Sequence, residues 1–345
     1  MNQLSKCFIL AQKHIERNVM KKIKYIFLVF SLVVLNAQIK PTVNCIGGDN
    51  VPQLKQQFQA TLEMVLLEMN RLNKGTGSLE ALKQIFANDA YETFKQFVVN
   101  NRAYTARKEY KPQIIERQKG EYFDIRSITV KVNLGETEAS DNQNLIFTFD
   151  KNGKIISVRS MLPNYDYQSV ISGGLNERDS LIRGIILDFM ERFRMAYNSK
   201  DESFLEKVYS DEALIFVGSV IEEKKGTDDM LKRSFLSGSK VRLIQQSKRE
   251  YLDGLKSKAF KRNSFVNVKF DQFTILQHEK VPNMYGVSCI QEWRSSNYSD
   301  KGYLFLMIDF RNQKEPIIHV RSWQPDAFAE DNTYVGLYDF DIVSY

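Results

Sequence analysis

The chain has few of the residues from which disulfide scaffolds and metal centres are built. Its 345 residues include three cysteines and three histidines, and beyond position 37 only Cys45, Cys289, His278 and His319 remain. Two cysteines form at most one disulfide, which excludes a disulfide framework, and we expect two free, buried thiols. Neither histidine has an acidic or cysteine neighbour at metal-ligand spacing, so we predict no metal site.

The sequence also lacks two motifs that often mark enzymes. It contains no glycine-rich phosphate loop and no nucleophile-elbow pentapeptide. The first motif binds nucleotide phosphates, and the second exposes a catalytic serine at a sharp turn. We therefore predict no cofactor and no nucleophile of that type.

Most of the excess positive charge lies in the first 37 residues, and little remains in the rest of the chain. The formal net charge is +6, but residues 1–37 hold six of the 48 basic side chains and one of the 42 acidic ones. The remainder is close to neutral, which removes the electrostatic argument for a nucleic-acid partner. The basic excess belongs to a targeting segment.

No apolar run reaches the roughly 20 residues that a membrane-spanning helix needs. The run from Tyr25 to Leu35 follows the cationic stretch Lys21–Lys24 and ends before Asn36 and Ala37. This arrangement is typical of a secretory signal. We predict cleavage near Ala37, with Met20 as an alternative start and an uncleaved anchor as the other interpretation. The cleaved product is periplasmic or secreted and has no membrane span.

Three blocks of sequence recur in the same order. They pair 82–90 with 205–213, 107–110 with 248–251 and 156–164 with 318–326. The offsets grow along the chain, which indicates a duplication with insertions in the second copy. Two glycines interrupt both periodicities at Ile171–Gly174, where we place the boundary. The predicted parts are a signal segment over 1–37, a shorter first domain over 38–170, a second domain over 175–330 and a C-terminal strand or tail over 331–345.

The second copy places helices before strands. Apolar residues at helical spacing predict a helix from Leu181 to Tyr197, and a shorter helix follows from Asp201 to Tyr209. Aromatic and β-branched residues predict strands at 265–275, 285–294, 303–310 and 317–323. This grouping is typical of an α+β domain with helices on one face of an antiparallel sheet. The alternating stretch 334–343 is predicted as an extra strand, docked on an edge of its own domain or offered to a partner.

The second copy resembles a known superfamily. Phe193–Asp201, Leu205–Ala213 and Tyr303–Phe310 are similar to the nuclear transport factor 2-like superfamily, which includes ketosteroid isomerase and the polyketide cyclases. The resemblance covers nearly all of the second copy and, more faintly, the first. It implies two cone-shaped domains, each with N-terminal helices packed on a curved antiparallel sheet. It implies little about function, because this fold hosts enzymes, binding modules and assembly subunits.

The residues that isomerase chemistry would need are missing. The resemblance implies a tyrosine on the first helix and a carboxylate after the second, but Phe193 and Val217 occupy these places. Neither side chain exchanges a proton, so we predict no catalytic residue there. Asp309 with His319 on neighbouring strands is the best remaining acid–base pair, and a hydrogen bond on the sheet surface is the simpler interpretation.

Two sets of residues are candidates for binding. Aromatic side chains dominate apolar pockets. The candidates for lining a pocket in the second cone are therefore Phe193, Tyr197, Phe216 and Trp293. The alternative is that these residues are ordinary core. Alternation along the last strand separates Ile318 and Val320 from His319, Arg321 and Trp323. If the aliphatic side packs on the helices, the opposite face in both copies is a candidate interface of an internal pseudo-dimer, formed by Arg159, Met161, His319, Arg321 and Trp323. Covering the sheet or pointing into the cone is the alternative for this second set.

These observations favour an exported binding or assembly protein over an enzyme. Its expected partner is a protein or an apolar small ligand in the periplasm. The alternative is a small-molecule enzyme of the isomerase, hydrolase or cyclase type that uses the second cone, with Asp309, His319 or Tyr197. A pocket with convergent titratable groups favours the enzyme, whereas an aromatic or filled cone favours binding.

Overall fold

The computed structural model describes residues 40–133, 140–174, 177–220, 241–328 and 331–340. The predicted signal segment, with its cleavage near Ala37, and residues 341–345 lie outside the described residues. Residues 41–345 cluster into one compact unit. Inside it, two groups of helices each precede a sheet, which confirms the predicted α+β class.

The first half packs helices on one face of a small sheet. The sheet has the strand order β2–β5–β6–β7, and β4 pairs with the same edge of β5 as β2 does, nearer the beginning of that strand. A separate parallel pair joins β1 to β3. The elements are β1 Thr42–Val43, α1 Pro52–Asn73, a 3-10 helix Leu79–Ile85, α2 Asn88–Asn101, β2 Tyr104–Thr105, β3 Glu109–Tyr110, β4 Gln113–Arg117, a 3-10 turn Gln118–Gly120, β5 Tyr122–Asn133, β6 Ser140–Asp150 and β7 Ile155–Ser160.

The second half repeats this plan with longer strands. A short helix, α3, leads into it, and its sheet has the order β10–β11–β12–β13–β8–β9. Neighbouring strands are antiparallel except β13 and β8, which run parallel. The elements are α3 Asn164–Ser172, α4 Glu177–Ser199, α5 Glu202–Val208, β8 Tyr209–Val220, β9 Val241–Gln246, α6 Lys248–Gly254, a π-helix Leu255–Phe260, β10 Val266–Gln277, β11 Met284–Ser295, β12 Ser299–Asp309 and β13 Ile317–Gln324.

Local sequence explains where the helices begin. Pro52 opens α1, where its fixed φ suits the first turn and its missing N–H is not needed. The Asp201 carboxylate caps α5 by accepting a hydrogen bond from the Phe204 N–H at 3.0 Å. Ser247 and Glu250 form a reciprocal capping box at the start of α6. These caps satisfy N–H groups that have no partner inside a helix.

Helix α4 lies between the two sheets. One face of the helix carries buried apolar residues that pack into the core of the second half, among them Ile186, Phe189, Phe193 and Tyr197. The helix also packs against β7 and α2 of the first half. The polar face of the first sheet is therefore covered by a helix of the second half.

A buried network of charges joins the first sheet to α4. Arg159 on β7 lies 2.7 Å from a carboxylate oxygen of Asp124 and 3.2 Å from one of Asp188. Arg126 on β5 donates to Glu191 at 2.6 Å. Burial alone would raise the pKa of the Asp124 carboxyl, but the charges of Arg159 and Arg117, together with hydrogen bonds from Thr148 and Arg159, outweigh it and lower that pKa. The two halves are thus held together by paired charges, which are costly to separate in a low-dielectric environment.

The outer face of the second sheet, away from α4, is covered by residues 331–340. Val335 and Leu337 are buried there, and the Phe340 ring stacks on Phe305 with centroids 5.9 Å apart. The prediction of an extra strand at 334–343 is wrong for the described residues, which form an irregular segment with a 3-10 turn at Leu337–Asp339. One reason is that a backbone N–H of this segment bonds to a side chain and not to a neighbouring strand. The Gln324 Oε1 atom accepts a hydrogen bond from the Val335 N–H at 2.7 Å.

The predicted helices and strands of the second half are present, each within a few residues of its predicted limits. The three repeat blocks correspond less evenly. Phe86 bridges Ile155 in parallel, as Tyr209 pairs with Ile318, and the third block falls on β7 and β13. The second block is a strand, β3, in the first half but a helix, α6, in the second. The duplication and its domain boundaries therefore stay a prediction.

Candidate functional site: a cavity in the second half

The second half contains a cavity of about 460 Å³ on the helix-facing side of its sheet. It lies between the α6 and π-helix segment on one side and strands β8, β11 and β13 on the other. Its walls are formed mainly by aromatic and apolar side chains, including Tyr251, Leu255, Ala259, Trp293 and Trp323, and Arg321 also lines it. The exposed side chains of Lys258 and Tyr298 stand at its rim. A cavity of this size and lining is typical of a small-molecule site.

A bulge in β13 turns Arg321 and Trp323 into this cavity. Met307 and Ile308 of β12 pair with Val320 and Ile318, so His319 is an extra residue that interrupts the alternation. Ile318 consequently packs in the helix-side core, while Val320 packs on the outer face. The prediction that Ile318 and Val320 share a face is therefore wrong.

Arg321 is buried without a full set of hydrogen bonds. The residue is 5% exposed, and its guanidinium carbon lies 4.9 Å from the centroid of the Tyr251 ring. Within the described part of the chain, its Nε and Nη1 atoms have no hydrogen-bond partner. The stacking on Tyr251 compensates part of the cost of burying the charge, but unpaired donors on a buried cation remain expensive.

Three tyrosine hydroxyls meet beside Arg321. The Tyr197 hydroxyl lies 2.7 Å from that of Tyr251 and 3.2 Å from that of Tyr209. Burial raises the pKa of Tyr209 and Tyr251 well above the usual value for tyrosine, so both stay protonated at neutral pH. Tyr251, which lines the cavity, therefore presents a neutral side chain there, and neither tyrosine supplies a charge that would balance Arg321.

Asp300 also borders the cavity. Burial raises the pKa of its carboxyl, and this effect outweighs the opposing influence of the Tyr298 hydroxyl and the Arg321 charge. Its Oδ1 atom has no hydrogen-bond partner among the described residues, and the same is true of the Trp323 indole N–H. The cavity therefore combines an apolar aromatic wall with a few polar atoms whose hydrogen-bonding capacity is unused.

The four aromatic candidates for the pocket lie in different places in the structure. Trp293 lines the cavity, and Tyr197 lies beneath it with its ring 5.8 Å from that of Trp293. Phe193 is fully buried in the core between the rings of Phe189 and Phe270.

The prediction for Phe216 is wrong. Its ring packs against Phe340 on the outer face of the sheet, with centroids 6.1 Å apart. Ile215, its neighbour on β8, is the residue that faces the helices. The sequence located an aromatic strand here but not which of its faces is turned inward.

The five candidates for a domain interface also lie in different places. Arg159 lies at the contact between the halves, in the ion network with α4, and Met161 follows it on the same sheet, where its sulfur accepts from the Ser127 hydroxyl at 3.5 Å. Arg321 and Trp323 lie in the second cavity, which is the alternative that the sequence left open. His319 lies at the bulge, 3.7 Å from Asp309.

An internal pseudo-dimer through two sheet faces is therefore not what the structure shows. The polar face of the first sheet packs on α4, and the outer face of the second sheet packs on the C-terminal segment 331–340. The residues that sequence reasoning missed are Asp188 and Glu191 on α4 and Tyr251 on α6. The capping-box pattern Ser247 to Glu250 was the signal that could have located α6.

The candidate acid–base pair does not belong to the cavity. Asp309 accepts hydrogen bonds from the backbone and side chain of Arg311, and these lower the pKa of its carboxyl against the effect of burial. Neither Asp309 nor His319 is part of the cavity lining. The simpler interpretation, a hydrogen bond between them, is not formed either, because the two side chains are 3.7 Å apart and the His319 Nε2 atom has no hydrogen-bond partner among the described residues.

The described residues contain neither a metal-binding cluster nor a membrane-spanning helix. No group of three or more histidine, cysteine, aspartate or glutamate side chains there is arranged to hold a metal ion. No helix among them has the length and apolar character needed to cross a membrane. Cys45 and Cys289 are both buried, and neither is in a disulfide, as expected. Burial raises the pKa of the Cys45 thiol to about 11.

No protein-family profile matches the sequence, and no curated protein is significantly similar to it. Solved structures do resemble it. The helical cell shape determining protein Pgp2 from Campylobacter jejuni is 15% identical, with 42% of this chain and 41% of that chain covered and a TM-score of 0.30. Bd1075 from Bdellovibrio bacteriovorus is 11% identical, with 63% and 93% covered and a TM-score of 0.31.

A third similar structure is an NTF-2 like protein of unknown function from Shewanella oneidensis. It is 12% identical, with 41% of this chain and 96% of that chain covered and a TM-score of 0.27. At such identities and TM-scores, no argument rests on these matches. The order of the second half, with helices before a mainly antiparallel sheet, is the α+β arrangement that the sequence resemblance implies.

Proposed function

We propose that this protein is a non-catalytic binding protein whose second-half cavity takes a small molecule with an aromatic or other apolar body. The observation that carries this proposal is the cavity of about 460 Å³ bordered by Tyr251, Trp293 and Trp323. Flat aromatic side chains offer large contact areas with few rotatable bonds, so they bind apolar rings at low entropic cost.

The side chains that form the walls of the cavity are held in place before a ligand binds. Trp323 and Trp293 lie on strands β13 and β11, and Tyr251 is fixed by its hydroxyl contact with Tyr197 at 2.7 Å. Tyr197 lies on α4, the helix that the first half holds through its ion network. Side chains locked in this way lose little freedom when a ligand binds, which favours affinity. In this proposal the first half of the chain holds the cavity of the second half in its binding conformation.

Binding is favoured over catalysis because Asp300 is the only carboxylate among the described residues that line the cavity, and no histidine lines it there. Burial keeps Tyr251 protonated at neutral pH, and Asp309 and His319 lie elsewhere. A small ligand is favoured over a protein partner because the apolar outer face of the second sheet is already covered by the protein's own residues 331–340. Export to the periplasm stays part of the proposal, since it depends on the predicted signal segment.

Titration with N-phenyl-1-naphthylamine, an uncharged aromatic fluorophore, tests the proposal. We expect saturable binding with one site per chain and a rise in probe fluorescence. Trp293→Ala should weaken it by about tenfold or more, because the loss of an aromatic wall removes contact area worth more than 1 kcal/mol. Circular dichroism should show that the variant is folded, since Trp293 is only partly buried.

Tyr338→Ala is the matched control, because it removes an aromatic side chain that is 73% exposed and distant from the cavity lining. Its affinity for the probe should equal that of the wild-type protein. Equal affinity of the wild-type and Trp293→Ala proteins, or the absence of saturable binding, would show that the cavity is not a ligand site.

A further inference from the structure

We infer that the ligand of the second-half cavity carries an anionic group, such as a carboxylate, which Arg321 receives at the cavity floor. This inference rests on the proposed function and adds the chemical class of the ligand. It follows from a buried cation, from the lack of an internal partner for its unpaired donors, and from a second unpaired donor beside it.

The buried cation is the first step. Arginine keeps its charge at every physiological pH, so Arg321 cannot avoid the cost of burial by losing a proton. The residue is 5% exposed, yet within the described part of the chain its Nε and Nη1 donors are without a hydrogen-bond partner. Arg159, the other buried arginine of a last strand, differs because it lies among three carboxylates.

The groups around Arg321 do not supply the missing acceptor. Tyr251 presents the face of its ring, and the hydroxyl groups of Tyr197, Tyr209 and Tyr251 contact one another. The Tyr197 hydroxyl also hydrogen-bonds to the Arg321 side chain, but the Nε and Nη1 donors stay without a partner among the described residues. Asp300 borders the same cavity, but its Oδ1 atom also lacks a partner, so the two unpaired groups do not satisfy each other through these atoms. A carboxylate from the ligand would accept a charge-assisted hydrogen bond from an unpaired Arg321 donor.

A second donor stands next to the first. Trp323 is two residues from Arg321 on β13, so their side chains point to the same face of the sheet. Its residue exposure is 8%, and its indole N–H has no hydrogen-bond partner in the described ranges. An indole N–H can only donate, which makes the pair Arg321 and Trp323 a site for an acceptor with negative charge. The aromatic wall then holds the apolar body of the same ligand.

The test compares 2-naphthoate with 2-naphthamide, two probes of nearly equal shape that differ in charge. Isothermal titration should show that the wild-type protein binds the naphthoate about tenfold or more tightly than the amide, because charge-assisted hydrogen bonds form only with the anion. Arg321→Gln should abolish this preference, because the variant has no positive charge to favour the anion. Asp300→Asn, which removes a competing negative charge, should raise the affinity for naphthoate by about twofold or more.

The exposed Arg262→Gln is the matched control, since it removes a charge of the same sign outside the cavity lining. It should leave the naphthoate preference unchanged. Equal binding of both probes by the wild-type protein, or a preference that survives in Arg321→Gln, would overturn the inference and leave the proposed function standing. Failure of both probes to bind would instead overturn the proposed function, and the inference with it.

Discussion

Replacing Arg159 by leucine is expected to lower the free energy of unfolding by about 3–5 kcal/mol, the range seen when one partner of a buried ion pair is removed. Arg159 lies within ion-pair distance of Asp124, Asp188 and Glu191. Its loss leaves these carboxylates at the contact between the first sheet and α4 with less positive charge to balance them. Urea unfolding followed by circular dichroism at neutral pH measures the change.

Lys151→Gln provides the control for this prediction. Lys151 pairs with Glu121 at 3.0 Å, but both side chains are more than half exposed. Exposed pairs contribute little, so this variant should change the free energy of unfolding by less than about 1 kcal/mol. A loss below 1 kcal/mol for Arg159→Leu would mean that the network does not hold the halves together.

The second large effect concerns Phe193. Phe193→Ala should cost about 3–5 kcal/mol of unfolding free energy, because it removes a fully buried ring from the core. The ring stacks on Phe189 at 5.9 Å and on Phe270 at 6.1 Å between centroids, so the surrounding rings cannot easily fill the space. Chemical unfolding measures the loss, and probe titration below the unfolding transition measures the remaining binding.

Trp293→Ala is the natural comparison for Phe193→Ala. The structure predicts opposite profiles: Phe193→Ala loses stability but keeps its affinity for the probe while folded, whereas Trp293→Ala loses affinity at a smaller cost in stability. The same profile for both variants would mean that core and cavity are not distinct, as the sequence alone left open.

The parts of the fold that the sequence predicts well are those with strong, local periodicity. The apolar residues of α4 recur at helical spacing over five turns, and the aromatic and β-branched runs of β10 to β13 are bounded by turn-forming residues. The capping residues at Asp201 add a second, independent signal. Such patterns depend on residues near one another in the sequence, so they can be recognised without the tertiary structure.

The side-chain directions could not be predicted, because they depend on pairing between distant strands. The extra residue His319 in β13 reverses the alternation, which turns Arg321 and Trp323 inward. On β8, the parallel pairing with β13 turns Phe216 outward. A shift of one residue in a strand moves every following side chain to the other face, so composition and spacing alone could not locate the cavity.

The central claim is that the second-half cavity binds small molecules with an apolar body. A crystal structure of the protein grown with N-phenyl-1-naphthylamine tests it most directly, because it shows where the probe lies. The account predicts density for the probe between Tyr251, Trp293 and Trp323, with the backbone of β11 and β13 unchanged. A cavity closed by the two tryptophans, with the probe bound elsewhere or absent, would contradict it.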